Sequence, residues 1–190
     1  MYDPTLTESA ALPATWGPVT HPKNYNRGAV ADSENMHYLR HMSYSKLYYH
    51  IVFVVKNRLN VIDEEHEQSL FVYIMGLCEK KSAKLYRINA AGNHIHMLVA
   101  LPTTICVADF VRDLKRSTSL MIKSEHLFAG FESWAREYFV KTVSEETFDT
   151  VFNYIKRQKE HHRLVTFEDE YASELDAEYR KRFSLEFFSR

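Results

Sequence analysis

A tight turn at Gly92-Asn93 joins two short segments of strand character, residues 84–91 and 94–101, and predicts a β-hairpin in the middle of the chain. Before this hairpin, apolar residues recur at helical spacing between residues 70 and 78. After it, they recur at the same spacing between residues 107 and 122. The centre of the chain is therefore predicted to be helix, strand, strand, helix.

Two apolar, aromatic-rich segments extend this pattern, one at 43–55 and one at 138–143, and each predicts a strand. The complete order is then β-α-β-β-α-β, which is the order of the split βαβ or ferredoxin-like fold. We therefore expect an α+β protein in which an antiparallel sheet carries two helices on one face. Asp63 is a suitable N-cap for the first helix, and Ser144 for a further helix after the fourth strand.

Three regions of the chain differ in composition. Residues 1–41 contain four of the five prolines and no hydrophobic periodicity, which predicts an irregular N-terminal arm. Residues 42–163 contain all the patterned segments and form the predicted folded domain. Residues 164–190 carry 7 acidic and 4 basic side chains and form a predicted acidic tail, with a short helix near 168–178.

Charge and cysteine content restrict the class of protein. The net charge of −1 does not by itself indicate a nucleic-acid-binding protein, but residues 42–163 hold 17 basic against 14 acidic side chains. Cys78 and Cys106 lack the spacing of a metal site or a disulfide. No secretory signal is visible, and the longest apolar run, 47–55, is too short to cross a bilayer as a helix. These features predict a cytoplasmic protein.

Two histidines lie one residue apart in the second strand of the hairpin. Because side chains alternate along a strand, His94 and His96 point to one face while Ile95 and Met97 point to the other. Two imidazoles side by side on a rigid strand supply half of a divalent-metal site. The alternative is a pair of ordinary strand histidines. His50, inside the first strand, is more simply explained as a packed histidine.

A second pair of polar residues lies on the helix after the fourth strand. Tyr154 and Gln158 are four residues apart and therefore share one flank of a helix. A glutamine carbonyl suits a hard ion such as Mg²⁺ or Mn²⁺ and leaves positions open for phosphate oxygens. A tyrosine beside such an ion is a candidate nucleophile toward the phosphate. The alternative is a half-exposed helix flank without chemistry.

Basic side chains are candidates for phosphate contact. Those on the second helix have no acidic residue four positions further on, although simple solvation explains many such helix faces. The candidate DNA-binding residues are Lys56, Arg58, Arg112, Lys115, Arg116, Lys123, Lys156 and Arg157.

Six sequence blocks together resemble the single-tyrosine HUH transposases of the insertion sequence 200/605 family. They are Tyr49-His50-Ile51-Val52-Phe53, Lys56-Asn57-Arg58, Asn93-His94-Ile95-His96-Met97-Leu98-Val99, Phe110-Val111-Arg112-Asp113-Leu114-Lys115-Arg116-Ser117, Tyr138-Phe139-Val140-Lys141-Thr142-Val143 and Tyr154-Ile155-Lys156-Arg157-Gln158. Members often have aspartate in place of Asn93, and glycines where this chain has Ser144-Glu145-Glu146. The resemblance covers roughly residues 43–163, within the predicted domain at 42–163.

The resemblance implies an enzyme that cleaves and rejoins single-stranded DNA folded into hairpins, in a bacterial or archaeal cytoplasm in association with the nucleoid. It implies a divalent metal, Mg²⁺ or Mn²⁺, held by His94, His96 and Gln158, and Tyr154 as the nucleophile that forms a 5′-phosphotyrosine. It also implies a homodimer in which each tyrosine helix serves the partner's histidines. The apolar first strand, if it forms a sheet edge, would invite such pairing.

Two other functions are compatible with these residues. A domesticated relative would nick or bind hairpin DNA without mobilising an element. A non-catalytic module would bind single strands on a ferredoxin-like sheet, as such sheets commonly do, and would need neither Tyr154 nor a metal.

Overall fold

A computed structural model of the protein describes residues 44–163 and Asp169. Its strands are β1 (Tyr48–Val54), β2 (Lys84–Ala90), β3 (His94–Ala100) and β4 (Phe139–Val143). Its helices are α1 (Glu67–Lys80), α2 (Val107–Ser124), α3 (Phe148–Lys156) and α4 (Gln158–His161), with a 3-10 turn at Lys56–Arg58. The elements follow the predicted order, with α3 and α4 after the β-α-β-β-α-β unit.

The four strands form one antiparallel sheet in the order β2-β3-β1-β4. This arrangement confirms the predicted α+β, ferredoxin-like fold. β1 lies inside the sheet, because it pairs with β3 on one side and with β4 on the other. The expectation that β1 is a sheet edge is therefore wrong, and β2 and β4 are the edge strands.

The two faces of the sheet are covered by different helices. Ile51 and Phe53 are fully buried on the face of α1 and α2, where the Phe53 ring lies 4.7 Å from that of Trp134. The Trp134 indole N–H donates to the Thr118 hydroxyl of α2 at 2.8 Å, which fixes this helix to the sheet. Helix α3 covers the opposite face, where Leu98 packs in one cluster with residues of α3.

The β2–β3 hairpin forms as predicted, and its turn depends on Gly92. Gly92 has φ of +64°, and a Cβ there would come within 2.3 Å of the Asn60 Oδ1 atom. Its carbonyl accepts hydrogen bonds from the backbone N–H groups of Val61 and Ile62. These hydrogen bonds hold the turn against the loop that contains Val61 and Ile62, directly before His94, the first residue of β3.

Two helices begin later than their polar caps predict. Asp63 accepts from the backbone N–H of His66 at 2.8 Å, but α1 begins at Glu67. Ser144 accepts from the backbone N–H of Thr147 at 3.3 Å, but α3 begins at Phe148. Each side chain therefore stabilises a turn before the helix, as Asp and Ser side chains commonly do.

Several predicted regions lie outside the described residues. They are the arm at 1–41, and the acidic tail with its short helix except for Asp169. The boundaries of the three predicted regions therefore stay predictions. Within the described part of the chain, no helix is long and apolar enough to span a membrane.

Candidate active site

Strand β3 places His94 and His96 on the face of the sheet that α3 covers, as the alternation of side chains predicts. Both imidazoles are nearly inaccessible to solvent, with relative exposures of 1% and 2%. His50 lies on the same face, because β1 pairs with β3 so that His50 opposes Leu98, a diagonal neighbour of His96. The site therefore begins as three imidazoles on two adjacent, rigid strands.

The contacts of these histidines are compatible with one tautomer of each ring. His94 Nδ1 lies 2.6 Å from Asn93 Oδ1, an acceptor, so Nδ1 carries the hydrogen and Nε2 keeps its lone pair. His96 Nδ1 lies 2.9 Å from His50 Nε2, and a hydrogen on His96 Nδ1 again leaves His96 Nε2 as an acceptor. Such partners on the far nitrogen are typical of metal-binding histidines, because they orient the ring toward the ion.

Burial has a direct electrostatic effect on this pair. It lowers the pKa of both His94 and His96 well below the reference value of 6.5, and the neighbouring histidines lower it further. Both rings are therefore neutral at pH 7, which is the form that binds metal ions.

This shift makes the stability of the metal-free protein depend on pH. Below pH 6.5 these two histidines bind protons in the unfolded chain but stay neutral in the folded chain. The free energy of unfolding should therefore fall as the pH is lowered through 6.5. Thermal melting in EDTA should show a lower Tm at pH 5.5 than at pH 7.5. His96→Gln should reduce the difference in Tm between the two pH values. An equal difference in the variant would contradict the lowered pKa of His96 as its cause.

The polypeptide breaks its helix between the two other predicted site residues. α3 ends at Lys156, Arg157 has φ of −96° and ψ of 14°, and α4 begins at Gln158. The spacing of Tyr154 and Gln158 predicts that they share one continuous helix, and this prediction is wrong. Both side chains nevertheless lie next to His96. Gln158 is completely buried, with its Nε2 atom 2.9 Å from His96 Nε2.

Two contacts hold the segments on either side of this break. The buried Asn89 amide on β2 donates to the carbonyl oxygens of Ile155 at 2.8 Å and Lys156 at 3.3 Å, at the end of α3. Lys159 of α4 forms an ion pair with Glu67 of α1 at 2.5 Å. Because Asn89 is paired with His96 across the sheet, it also sets the register of α3 against the histidine strand.

A third histidine completes the cluster, and it was not among the residues that the sequence singled out. His162 Nε2 lies 2.9 Å from His94 Nε2 and 2.7 Å from Gln158 Nε2. The nitrogens of His94, His96 and His162 lie within 4.8 Å of one another. The sequence signal is the repeat of four residues from Tyr154 to Gln158 to His162, which places all three side chains on one side of the chain.

The donor atoms of this cluster suit a cation. His94 Nε2 and His162 Nε2 lie 2.9 Å apart, a distance at which a hydrogen bond joins the two rings in the absence of a metal ion. The Gln158 amide contacts both His96 and His162, and a half-turn of that amide would present its oxygen at the same position. These residues therefore fit a divalent metal through three imidazoles and one amide oxygen.

Tyr154 lies at the rim of this cluster and is half-buried. Its ring centroid is 5.9 Å from that of His96, 6.0 Å from that of His50 and 5.6 Å from that of His161. The phenol ring is thus held beside the histidine cluster of the same chain, with part of its surface open to solvent.

Comparison with known proteins assigns this arrangement to a family. Residues 43–158 match the family model described as "Transposase IS200 like". This chain belongs to that family. The transposase is 31% identical to the transposase for insertion sequence element IS200 of Salmonella typhimurium over 121 residues, which are 61% of this chain and 79% of the relative. It is 25% identical to the ISDra2 transposase TnpA of Deinococcus radiodurans over 119 residues, 60% of this chain and 84% of that protein.

The fold of the transposase is also found in a solved structure. A REP-associated tyrosine transposase bound to a REP hairpin superposes with a TM-score of 0.51 at 14% identity, over 65% of this chain and 73% of that chain. At this identity the match supports the shared fold alone.

Four of the candidate DNA-binding residues of the transposase lie near the ends of the sheet and the tyrosine helix. Lys56 is exposed and paired with Glu132 at 2.8 Å, and Arg58 follows it in a left-handed conformation with φ of 54°. Lys156 and Arg157 are exposed at the break between α3 and α4. Their contact with DNA stays a prediction.

The other four lie on α2, across the sheet from the histidine cluster. Arg112 has no acid four positions further on, as the sequence shows, but it pairs with two acids at other spacings, Asp109 and Asp113. Lys115 is half-buried and donates to the carbonyl oxygens of Arg136 and Glu137, and burial lowers its pKa. Arg116 and Lys123 are exposed. DNA binding by all four stays a prediction.

Proposed function

We propose that this transposase cleaves and rejoins single-stranded DNA, in a metal-dependent reaction that passes through a covalent 5′-phosphotyrosine on Tyr154, and that it recognises hairpins at the ends of its element. The observation that carries the proposal is the position of the Tyr154 ring against His96, beside the convergent nitrogens of His94, His96 and His162. A non-catalytic module has no need for either feature.

Each residue of the site has a chemical part in this proposal. Tyr154 attacks the scissile phosphorus through its phenol oxygen and loses its proton, and the bond from phosphorus to the 3′ oxygen breaks. The 5′ phosphate remains on Tyr154, while the 3′ oxygen takes up a proton and leaves as a hydroxyl. The new ester keeps the bond energy, so the same hydroxyl can reverse the step without a nucleotide cofactor.

The metal would be held by His94, His96 and Gln158, with His162 as an additional ligand. When bound, a divalent ion makes the phosphorus more electrophilic and stabilises negative charge in the transition state. A donor set rich in imidazole favours Mn²⁺ over Mg²⁺, which prefers oxygen ligands. Asn93 and His50 would keep the two strand histidines in the tautomer that presents Nε2 to the ion.

The proposal is tested with end-labelled single-stranded DNA that carries a hairpin from the DNA flanking the gene. With Mn²⁺ or Mg²⁺, a denaturing gel should show a protein–DNA adduct that protease removes, together with a free 3′ hydroxyl fragment. EDTA should abolish the adduct. Hairpin binding without any adduct, in every metal, would favour the non-catalytic module instead.

The proposal includes a homodimer with shared active sites. Within one chain, Gln158 already reaches His96, so sharing requires α3 and α4 to be exchanged between subunits. His96→Ala and Tyr154→Phe proteins, each inactive alone, should regain cleavage when their subunits are mixed, because one shared site would then contain both intact groups. A verified heterodimer that stays inactive would contradict sharing, and a monomer by light scattering would contradict the dimer.

A further inference from the structure

A β-bulge in the edge strand β2 changes the direction of one arginine. Leu85 pairs with Val99 and Arg87 pairs with Leu98, so one additional residue, Tyr86, is inserted at this point. Because of the insertion, Tyr86 and Arg87 both face α3. The Tyr86 ring lies 4.9 Å from that of Phe148, and the Arg87 guanidinium lies 5.6 Å from the centre of the Phe152 ring.

The charge of Arg87 is not balanced by any acid in residues 44–163 or by Asp169. No ion pair joins it to a described carboxylate, and its buried Nε atom has no hydrogen-bond partner there. Burial lowers the pKa of Arg87 below its usual value, because the buried cation loses hydration, but a guanidinium stays charged. Arg112, in contrast, is exposed and paired with two aspartates.

A half-buried cation without an anion destabilises a fold. Its presence is therefore most simply explained by a role in binding an anion. The ring of Phe152 holds the guanidinium on the outer flank of α3 through a cation–π contact. Lys156 lies one helical turn beyond Phe152, so it shares this flank, and it is exposed. Two cations thus line the β2 side of the helix that carries Tyr154, separated by an aromatic ring.

We propose that Arg87 and Lys156, on either side of Phe152, form a phosphate-binding site for a single strand of DNA passing along the β2 flank of the tyrosine helix. The planar guanidinium of Arg87 binds one backbone phosphate through two parallel N–H groups, and Lys156 binds a neighbouring one. The site rests on the proposed function, since it takes the strand that Tyr154 cleaves. Arg87 was not among the basic residues that the sequence indicated.

The salt dependence of DNA binding tests this site. The affinity for labelled single-stranded DNA is measured by fluorescence anisotropy at several salt concentrations for wild type, Arg87→Gln and Arg87→Lys. Loss of one phosphate contact should reduce the slope of log affinity against log salt by about 0.7 in Arg87→Gln. Arg87→Lys, which keeps the charge, should restore most of the slope.

Lys81→Gln is the matched control, because it removes a cation that is already paired with Asp113 and that is not a candidate DNA-binding residue, and it should leave the slope nearly unchanged. Arg87→Gln should also melt no lower than wild type, since it removes a dehydrated charge; a purely structural role predicts a lower Tm with an unchanged slope. An unchanged slope in Arg87→Gln, or an equal loss in Lys81→Gln, would overturn the inference. The adduct assay on the same proteins tests the proposed function separately, because it depends on Tyr154 and the metal.

Discussion

Tyr154→Phe should eliminate the covalent protein–DNA adduct while DNA binding stays nearly intact. The substitution removes only the hydroxyl oxygen that would form the phosphate ester. The phenylalanine ring can keep the contacts with His50, His96 and His161, so the fold and the histidine cluster should persist. The measurement is a denaturing gel of labelled hairpin DNA with Mn²⁺, together with an anisotropy titration of the same DNA.

Tyr138→Phe provides the control for this experiment. Tyr138 lies just before β4 and is 37% exposed, and its substitution should leave the adduct in place. Peptide mapping of the wild-type adduct should locate the nucleotide on Tyr154. An adduct that persists in Tyr154→Phe would show that another residue is the nucleophile.

His96→Ala should abolish specific Mn²⁺ binding. His96 contacts Gln158 through Nε2 and His50 through Nδ1, so its loss removes one proposed ligand and one contact of Gln158. Isothermal titration calorimetry should show a Mn²⁺ site in wild type and none in the variant. Wild type should bind Mg²⁺ more weakly than Mn²⁺, because imidazole is a poorer ligand for Mg²⁺.

His162→Ala separates the two possible ligand sets. If His162 is a ligand, its removal should weaken Mn²⁺ binding at least tenfold, about 1.4 kcal/mol. His161→Ala is the matched control, because His161 is the adjacent residue and lies outside the cluster. Equal Mn²⁺ affinity in wild type and His162→Ala would restrict the ligands to His94, His96 and Gln158. Equal affinity in wild type and His96→Ala would reject the site.

The core of the site could be predicted from sequence because it depends on local periodicity. A strand has a period of two residues, so His94 and His96 must share a face once the apolar pattern around them is recognised. The order of strands and helices then restricts the fold to a few topologies. The same reasoning, applied to a helix, singles out Tyr154 and Gln158, but it does not predict the helix break between them.

Other parts of the site could not be predicted, because they depend on irregular or long-range features. The contact between His50 and His96 requires the register of β1 against β3. His162 lies beyond the helix break at Arg157, so the four-residue spacing from Tyr154 alone does not establish its contact with His94. Arg87 faces α3 because of the bulge at Tyr86, whereas strict alternation from the buried Leu85 places it with Leu85 on the opposite face.

The helix break at Arg157 resembles a hinge, but contacts on both sides of it hold it in place. The carbonyl groups just before it are held by Asn89 of β2, while Lys159 just after it is held by Glu67 of α1. Movement of α3 away from the sheet would break the Asn89 contacts, and movement of α4 would break the ion pair between Lys159 and Glu67. If the tyrosine segment changes subunits, it must therefore give up both sets of contacts within its own subunit, and the pivot lies upstream, in residues 144–147 between β4 and α3.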